Sequence, residues 1–145
     1  MNNKRLVVGM NGSKSSRAAL RWAVTTAAAG EGDTVVAVAA WERSGSNASS
    51  KSKLKEMLAA EIEALPAEER ARITITTEVS EGPPEEVLVE AAEEADMLVL
   101  GRQGHGKAWE MMFGSTSREC ISKVDCPVVI VASAKTLTSA KSKTA

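Results

Sequence analysis

Short runs of β-branched and other apolar residues alternate along this chain with longer segments of helical periodicity. Three of these runs, Leu6–Val8, Thr34–Trp41 and Met97–Leu100, are almost continuously apolar, which is typical of strands covered on both faces. Strands that alternate with helices predict an α/β domain with a parallel sheet. A chain of 145 residues is long enough to bury the core of one such domain.

Five strands and four helices are predicted, in the order β-α-β-α-β-α-β-α-β. The predicted strands are Leu6–Val8, Thr34–Trp41, Ile73–Thr76, Met97–Leu100 and Val128–Val131. The predicted helices are an Ala-rich segment capped by Ser13 or Ser15, then Leu54–Leu65, Glu85–Glu94 and Ser115–Lys123. Right-handed crossovers place these helices on both faces of the sheet.

Three further segments have recognisable characters. The period-two alternation of Ile73–Thr76 predicts an edge strand with one face open to water. Residues 43–53 are rich in Ser, Gly and Lys and are predicted to form a flexible loop. Residues 133–145 lack a core-forming pattern, so we expect a domain over 1–132 followed by a disordered tail.

Charge and composition exclude several classes of function. The net charge is −1, which provides no overall basic field for nucleic acid or membrane surfaces. No apolar run approaches the roughly 20 residues that span a bilayer. The first residues do not resemble a signal peptide, so a cytoplasmic location is expected. Cys120 and Cys126 lack metal-site spacing and the chain has one His, which predicts reduced thiols and no zinc site.

Glycines follow two of the predicted strands, at Gly9–Ser13 and at residues 101–116 (GRQGHGKAWEMMFGST). Ligands of parallel sheets bind outside the carboxyl ends of strands, and glycine lets a backbone approach them closely. Gly114, Ser115 and Thr116 stand where the next helix is predicted to begin, which favours an anion. The basic residues of the longer segment outnumber its one acidic residue, which favours phosphate.

The glycine-rich segment does not match two familiar nucleotide motifs. It lacks the Gly-Lys-Ser/Thr triplet of a P-loop. It also lacks the dinucleotide-binding GxGxxG pattern after the first strand with an acidic residue about 20 positions further on. Glycine content alone leaves an ordinary turn as the alternative.

The spacing Gly-x2-Gly-x9-Gly-Ser, formed by Gly101, Gly104, Gly114 and Ser115, resembles the ATP-binding signature of the universal stress protein family. The opening VGMNGSKSS, the approach ADMLVLG and the final strand CPVVIV are similar to other hallmarks of that family. The resemblance runs from Lys4 to about Ala132. It implies a Rossmann-like sheet of order 3-2-1-4-5 with ATP lying across the ends of strands one and four, and it allows Mg²⁺ to accompany the phosphates.

The same resemblance implies a set of nucleotide-binding positions. The strand ends contribute Gly9, Met10, Asn11, Ala40 (or else Ala39), Leu100 and Gly101. The glycine-rich loop contributes Gly104, Gly114, Ser115 and Thr116, and its Arg102 and His105 are expected to contact the phosphates because they are basic side chains. Adenine is expected against the end of the second strand, the nucleoside against Leu100 and Gly101, and the phosphates in the loop.

Asn11 departs from the family pattern, which usually has Asp at this position. An Asp carboxylate can accept hydrogen bonds from ribose hydroxyls or hold a phosphate-bound metal, whereas Asn keeps an acceptor but loses the charge. Asn-Gly pairs also suit turns, so Asn11 either serves the ligand or only shapes the turn.

Three functions follow, of different classes. The first is a regulatory stress-response module that binds ATP, and the alternative is a dimeric member that acts through protein–protein contacts without nucleotide. The resemblance implies a homodimer through Val128–Val131, an apolar strand at a sheet edge. The third, a slow ATPase, is disfavoured because His105, the one candidate base, has no recognisable partner to orient it.

Trp109 and the apolar residues 111–113 either cover a ligand, mark a partner surface or pack internally.

Overall fold

The computed structural model describes residues 3–30, 32–42, 50–101 and 122–131, and within them five strands form one parallel sheet. The strands are β1 (Arg5–Gly9), β2 (Thr34–Trp41), β3 (Thr74–Glu81), β4 (Met97–Gly101) and β5 (Val128–Val131). Their order is β3-β2-β1-β4-β5, and every neighbouring pair is parallel. The predicted α/β class and strand order are confirmed.

Helices cover both faces of the sheet. They are α1 (Lys14–Ala29), α2 (Ser50–Glu63), α3 (Ala67–Arg72) and α4 (Pro84–Ala91), which a 3-10 turn over Ala92–Glu94 follows. Strand residues alternate between two buried clusters, one beneath α1 and α2 and one beneath α4. In β1, for example, Leu6 and Val8 enter the first cluster and Val7 the second. Continuous apolar strands are therefore explained by burial on both faces.

The ends of α1 have specific caps. The Ser13 hydroxyl accepts a hydrogen bond from the Ser16 N–H at 3.1 Å, which satisfies one of the unpaired donors of the first turn. At the other end, the Gly30 N–H donates to the Ala27 carbonyl at 3.0 Å. Of the two predicted N-caps, Ser13 is therefore the one used.

Several predicted boundaries need correction. Residues 50–53, predicted as loop, form the first turn of α2, because Ser and Lys are acceptable on an exposed helix face. β3 continues past Thr76 to Glu81, since pairing with β2 stabilises a polar segment that its sequence alone does not mark as strand. The predicted helix Glu85–Glu94 gives way to a 3-10 turn at Ala92.

Other predictions concern segments outside the described residues. The tail 133–145 lies there, as does the predicted helix Ser115–Lys123 except for Ser122 and Lys123. β2 and β5 have the predicted bounds, and β3 lies at a sheet edge as expected. No helix in the described ranges is long and apolar enough to cross a bilayer.

Candidate functional site

The strand order reverses at β1. β1 lies between β2 and β4 in the sheet. The chain leaves β1 through α1 and returns as β2 on one side, and β4 later pairs with the other side of β1. Open α/β sheets bind ligands in the crevice that forms outside the carboxyl ends of the strands at such a reversal. The crevice is therefore placed by the topology at the ends of β1 and β4, where the two glycine-rich segments of the sequence begin.

The turn after β1 is held by its own hydrogen bonds. The Met10 N–H donates to the Val38 carbonyl at 2.8 Å and so extends the pairing of β1 with β2. Asn11 is exposed, and its Oδ1 accepts a hydrogen bond from the Ser13 N–H at 3.0 Å. Gly12 between them has φ of 83°, a conformation that other residues rarely adopt. The result is an Asx-turn that leads into the cap of α1.

Buried serines support this turn from below. Ser15 and Ser16 have no exposed surface. The Ser16 hydroxyl donates to the Ser13 carbonyl at 3.0 Å and accepts from the Asn11 N–H at 3.4 Å. The Ser13 and Ser15 hydroxyl oxygens are 3.2 Å apart. These hydroxyls fix the first turn of α1 against the end of β1, a role that the sequence pattern SKSS did not reveal in advance.

Gly101 brings α1 against the end of β4. A Cβ added to this buried residue would lie 2.5 Å from both the carbonyl carbon and the carbonyl oxygen of Ser15. Contacts of this length are essentially never seen for real side chains, so the packing of α1 on β4 requires glycine here. Helix packing therefore explains Gly101 independently of any ligand.

Other predicted site residues pack in the core, either with a buried side chain or, for glycine, at a position where neighbours leave little room for one. Leu100 is fully buried in the cluster beneath α4, and Met10 is buried in the cluster beneath α1. At Gly9, an added Cβ would lie 2.9 Å from Leu100 Cδ2 and 3.1 Å from Leu88 Cδ2. Asn11 is the exposed member of the predicted set at the end of β1.

Ala39 and Ala40 were alternatives for a contact at the end of β2. Ala39 is buried beneath α1, whereas Ala40 is partly exposed and packs at the edge of the cluster beneath α4. Ala40 is thus the one with surface to offer a ligand.

The charges near the turn differ from those at α4. The first turn of α1 contains no Asp or Glu, and its Lys14 is exposed. The Arg17 Nη2 donates to the Gly12 carbonyl at 3.3 Å, and the Arg17 Nε lies 3.2 Å from a Glu61 carboxylate oxygen. The first turn of α4, in contrast, carries Glu85 and Glu86. An anion is therefore better accommodated at the start of α1 than at the start of α4.

The rest of the predicted set lies outside the described residues. This applies to Arg102, Gly104, His105, Gly114, Ser115 and Thr116. It applies also to the apolar residues 109 and 111–113 and to Cys120. Among the residues that are described, no three His, Cys, Asp or Glu side chains are grouped as a metal site.

Similar solved structures share this fold. A universal stress protein in complex with cAMP is 27% identical with a TM-score of 0.62, over 88% of this chain and 95% of that one. A universal stress protein family protein from Arabidopsis thaliana with AMP bound is 14% identical with a TM-score of 0.61, over 90% and 92%. At 14% identity, the second likeness shows the fold alone.

Curated relatives match shorter segments. A universal stress protein of Mycobacterium tuberculosis is 38% identical over 61 residues, which are 42% of this chain and 22% of that protein. One from Thermus aquaticus is 36% identical over 53 residues, 35% of this chain and 39% of that protein. The chain thus covers well under two thirds of the length of these relatives.

The family model for the universal stress protein family matches residues 2–132, which is nearly all of the chain. This match agrees with the strand order and with the solved structures of similar fold. The chain belongs to the universal stress protein family.

Proposed function

We propose that this protein binds an adenine nucleotide, ATP foremost, in the crevice between the ends of β1 and β4, and that it acts as a regulatory stress-response module. The observation that carries the proposal is the reversal of strand order at β1, which places the end of β4 beside a first turn of α1 that has no acidic residue. A relative at 27% identity binds cAMP, and a more distant one binds AMP, which supports an adenine nucleotide as the class of ligand.

The floor and the mouth of the crevice have different roles in this proposal. Its floor is uncharged, because Gly9, Leu100 and Gly101 supply backbone and buried carbon. An uncharged floor suits a nucleoside, because the faces of its base are largely apolar. Ala40 would contact the adenine, and Asn11 would stand at the mouth of the crevice.

The phosphates would lie toward α1 and the glycine-rich loop. The first turn of α1 has no acidic residue, so its dipole would favour a negative group. Gly104, Gly114, Ser115 and Thr116 would surround the phosphates, and Arg102 and His105 would add positive donors to them. Mg²⁺ would reach the site only as the ion that is bound to ATP in solution.

Calorimetric titration of ATP, ADP and AMP into protein stripped of nucleotide tests the proposal. We expect saturable binding of at least one of the three by the wild-type protein and its loss in Gly114→Val. The unfolding temperature of each protein without ligand serves as the control, since a folded variant that has lost binding identifies a site effect. Equal affinity of Gly114→Val and the wild type for all three would contradict the proposed role of the loop.

A second candidate function is a dimeric interaction protein without nucleotide. Within the described residues, β5 pairs with β4 alone. Its Ile130 is 41% exposed and is the one exposed large hydrophobic side chain among those residues. An apolar edge strand invites pairing with another strand, and the same strand of a second copy would meet it through a two-fold axis.

Sedimentation of the wild type and of Ile130→Lys tests this dimer. We expect a dimer for the wild type and a shift toward monomer in the variant, because a charge at the pairing edge opposes association. A monomeric wild type at the concentrations used for titration would overturn the dimer and leave the nucleotide proposal untouched.

A further inference from the structure

We infer that the turn after β1 holds the nucleotide without a divalent cation, because Asn11 is uncharged and offers amide N–H donors in place of a carboxylate. This inference rests on the proposed function and specifies the form of ligand that the crevice accepts. It concerns the turn Met10–Ser13 and the first turn of α1, all of which the structure describes.

The Asn11 side chain has one end already engaged. The Ser13 backbone N–H can only donate, so the Asn11 atom at 3.0 Å from it is the amide oxygen. The amide nitrogen, with two N–H groups and no lone pair for a metal, is the end of the side chain without a partner in the turn, and the oxygen, although it keeps a second lone pair, carries no charge. Asn11 therefore presents a donor to the crevice, and phosphate oxygens are acceptors.

The neighbouring oxygens do not supply a metal site either. Mg²⁺ is held in proteins by carboxylates, usually one or two with phosphate oxygens and waters. The first turn of α1 has no Asp or Glu, and the carboxylate of Glu61 in α2 lies 3.2 Å from the Arg17 guanidinium. The hydroxyls of Ser13 and Ser16 are used inside the turn. The part of this site that the structure describes therefore has no uncommitted carboxylate for Mg²⁺, and its donors fit an anion.

Nucleotide affinity with and without magnesium is the test, measured for wild type and Asn11→Asp. Asp is of nearly the same size and can still accept from the Ser13 N–H, so the turn is retained while a negative charge is added. AMP and ATP are titrated in EDTA and in excess Mg²⁺. AMP is the more informative ligand, since it binds Mg²⁺ only weakly in solution.

Asn3→Asp provides the matched control. It makes the same charge change before the amino-terminal end of β1, whereas Asn11 follows the carboxyl end of that strand. The two positions lie beyond opposite ends of β1, and the four steps from Arg5 to Gly9 alone span about 13 Å at roughly 3.3 Å per residue. This is beyond the screening length of about 8 Å at physiological ionic strength, so the control reports general charge effects only.

We expect the wild type and Asn3→Asp to bind AMP equally well in EDTA and in Mg²⁺. Asn11→Asp should bind about fivefold or more weakly in EDTA, because like charges about 4 Å apart repel by that much even in water. Mg²⁺ should restore its affinity. The unfolding temperature without ligand confirms that the variants are folded.

Two results would overturn the inference while leaving the proposed function intact. One is a wild-type protein that binds nucleotide only when Mg²⁺ is present. The other is an Asn11→Asp variant that binds like the wild type in both buffers. Absence of binding by the wild type in both buffers is a different result, since it removes the proposed function and this inference together.

Discussion

Gly101 at the end of β4 lies against the Ser15 backbone in the first turn of α1, so closely that a Cβ on Gly101 would be 2.5 Å from the Ser15 carbonyl oxygen. The contact joins a helix start and a strand end that are far apart in sequence. It lies where the strand order reverses, and it gives Gly101 a structural reason that the glycine pattern alone did not provide.

Gly101→Ala is expected to lower the free energy of unfolding by about 1–3 kcal/mol, the usual cost of forcing extra volume into a packed interior. Gly9→Ala is the matched comparison, because an added Cβ there would meet the side-chain tips of Leu100 and Leu88 rather than backbone. Flexible side chains can move aside, so Gly9→Ala should cost less. Urea unfolding measures both, and an equal or smaller cost for Gly101→Ala would contradict the packing argument.

Ser13→Ala is expected to destabilise the protein by about 1 kcal/mol, since it removes the N-cap acceptor of α1. Ser13→Asp retains an acceptor for the Ser16 N–H and should remain close to the wild type. The measurement is again the free energy of unfolding in urea. If both variants lost the same stability, the cap would not be the cause.

Cys126 should react slowly with thiol reagents at neutral pH. Burial raises the pKa of its thiol, and the carboxylates of Asp125 and Asp96 add to this effect, while backbone hydrogen bonds oppose it. A raised pKa leaves less thiolate, so the rate should climb only at a pH above that of an ordinary cysteine. The pH profile is measured in a Cys120→Ser background, with the urea-unfolded chain as reference. The expectation would be contradicted if the rate of the folded protein rose at the same pH as that of the unfolded chain, or at a lower pH.

The sequence predicted the elements best where burial governs the residues. β2 and β5 have the predicted bounds because uninterrupted apolar runs fill them. The start of α2 was missed because its Ser and Lys residues also suit a loop. β3 was predicted too short, since Thr77–Glu81 is strand through its pairing with β2 rather than through its own hydrophobicity.

The point at which the strand order reverses was predictable, but the contacts around it were not. Glycines follow the two strands that meet there, and parallel strands end at one edge of the sheet. The sequence could not show that Gly101 faces the backbone of α1, since it does not reveal which element approaches a glycine. Nor could it decide the role of Asn11, whose oxygen proves to be bonded to Ser13. That bond depends on the Gly12 turn, which is a property of the folded chain.

Thermal unfolding of nucleotide-stripped protein with and without ATP tests the nucleotide-binding proposal most directly. Ligand that binds only the folded state should add about 2.7 kcal/mol of stability at 100-fold excess over its dissociation constant. We predict a higher unfolding temperature that saturates with ATP and that Gly114→Val abolishes. An unchanged unfolding temperature at millimolar ATP would contradict nucleotide binding and favour the dimeric interaction protein.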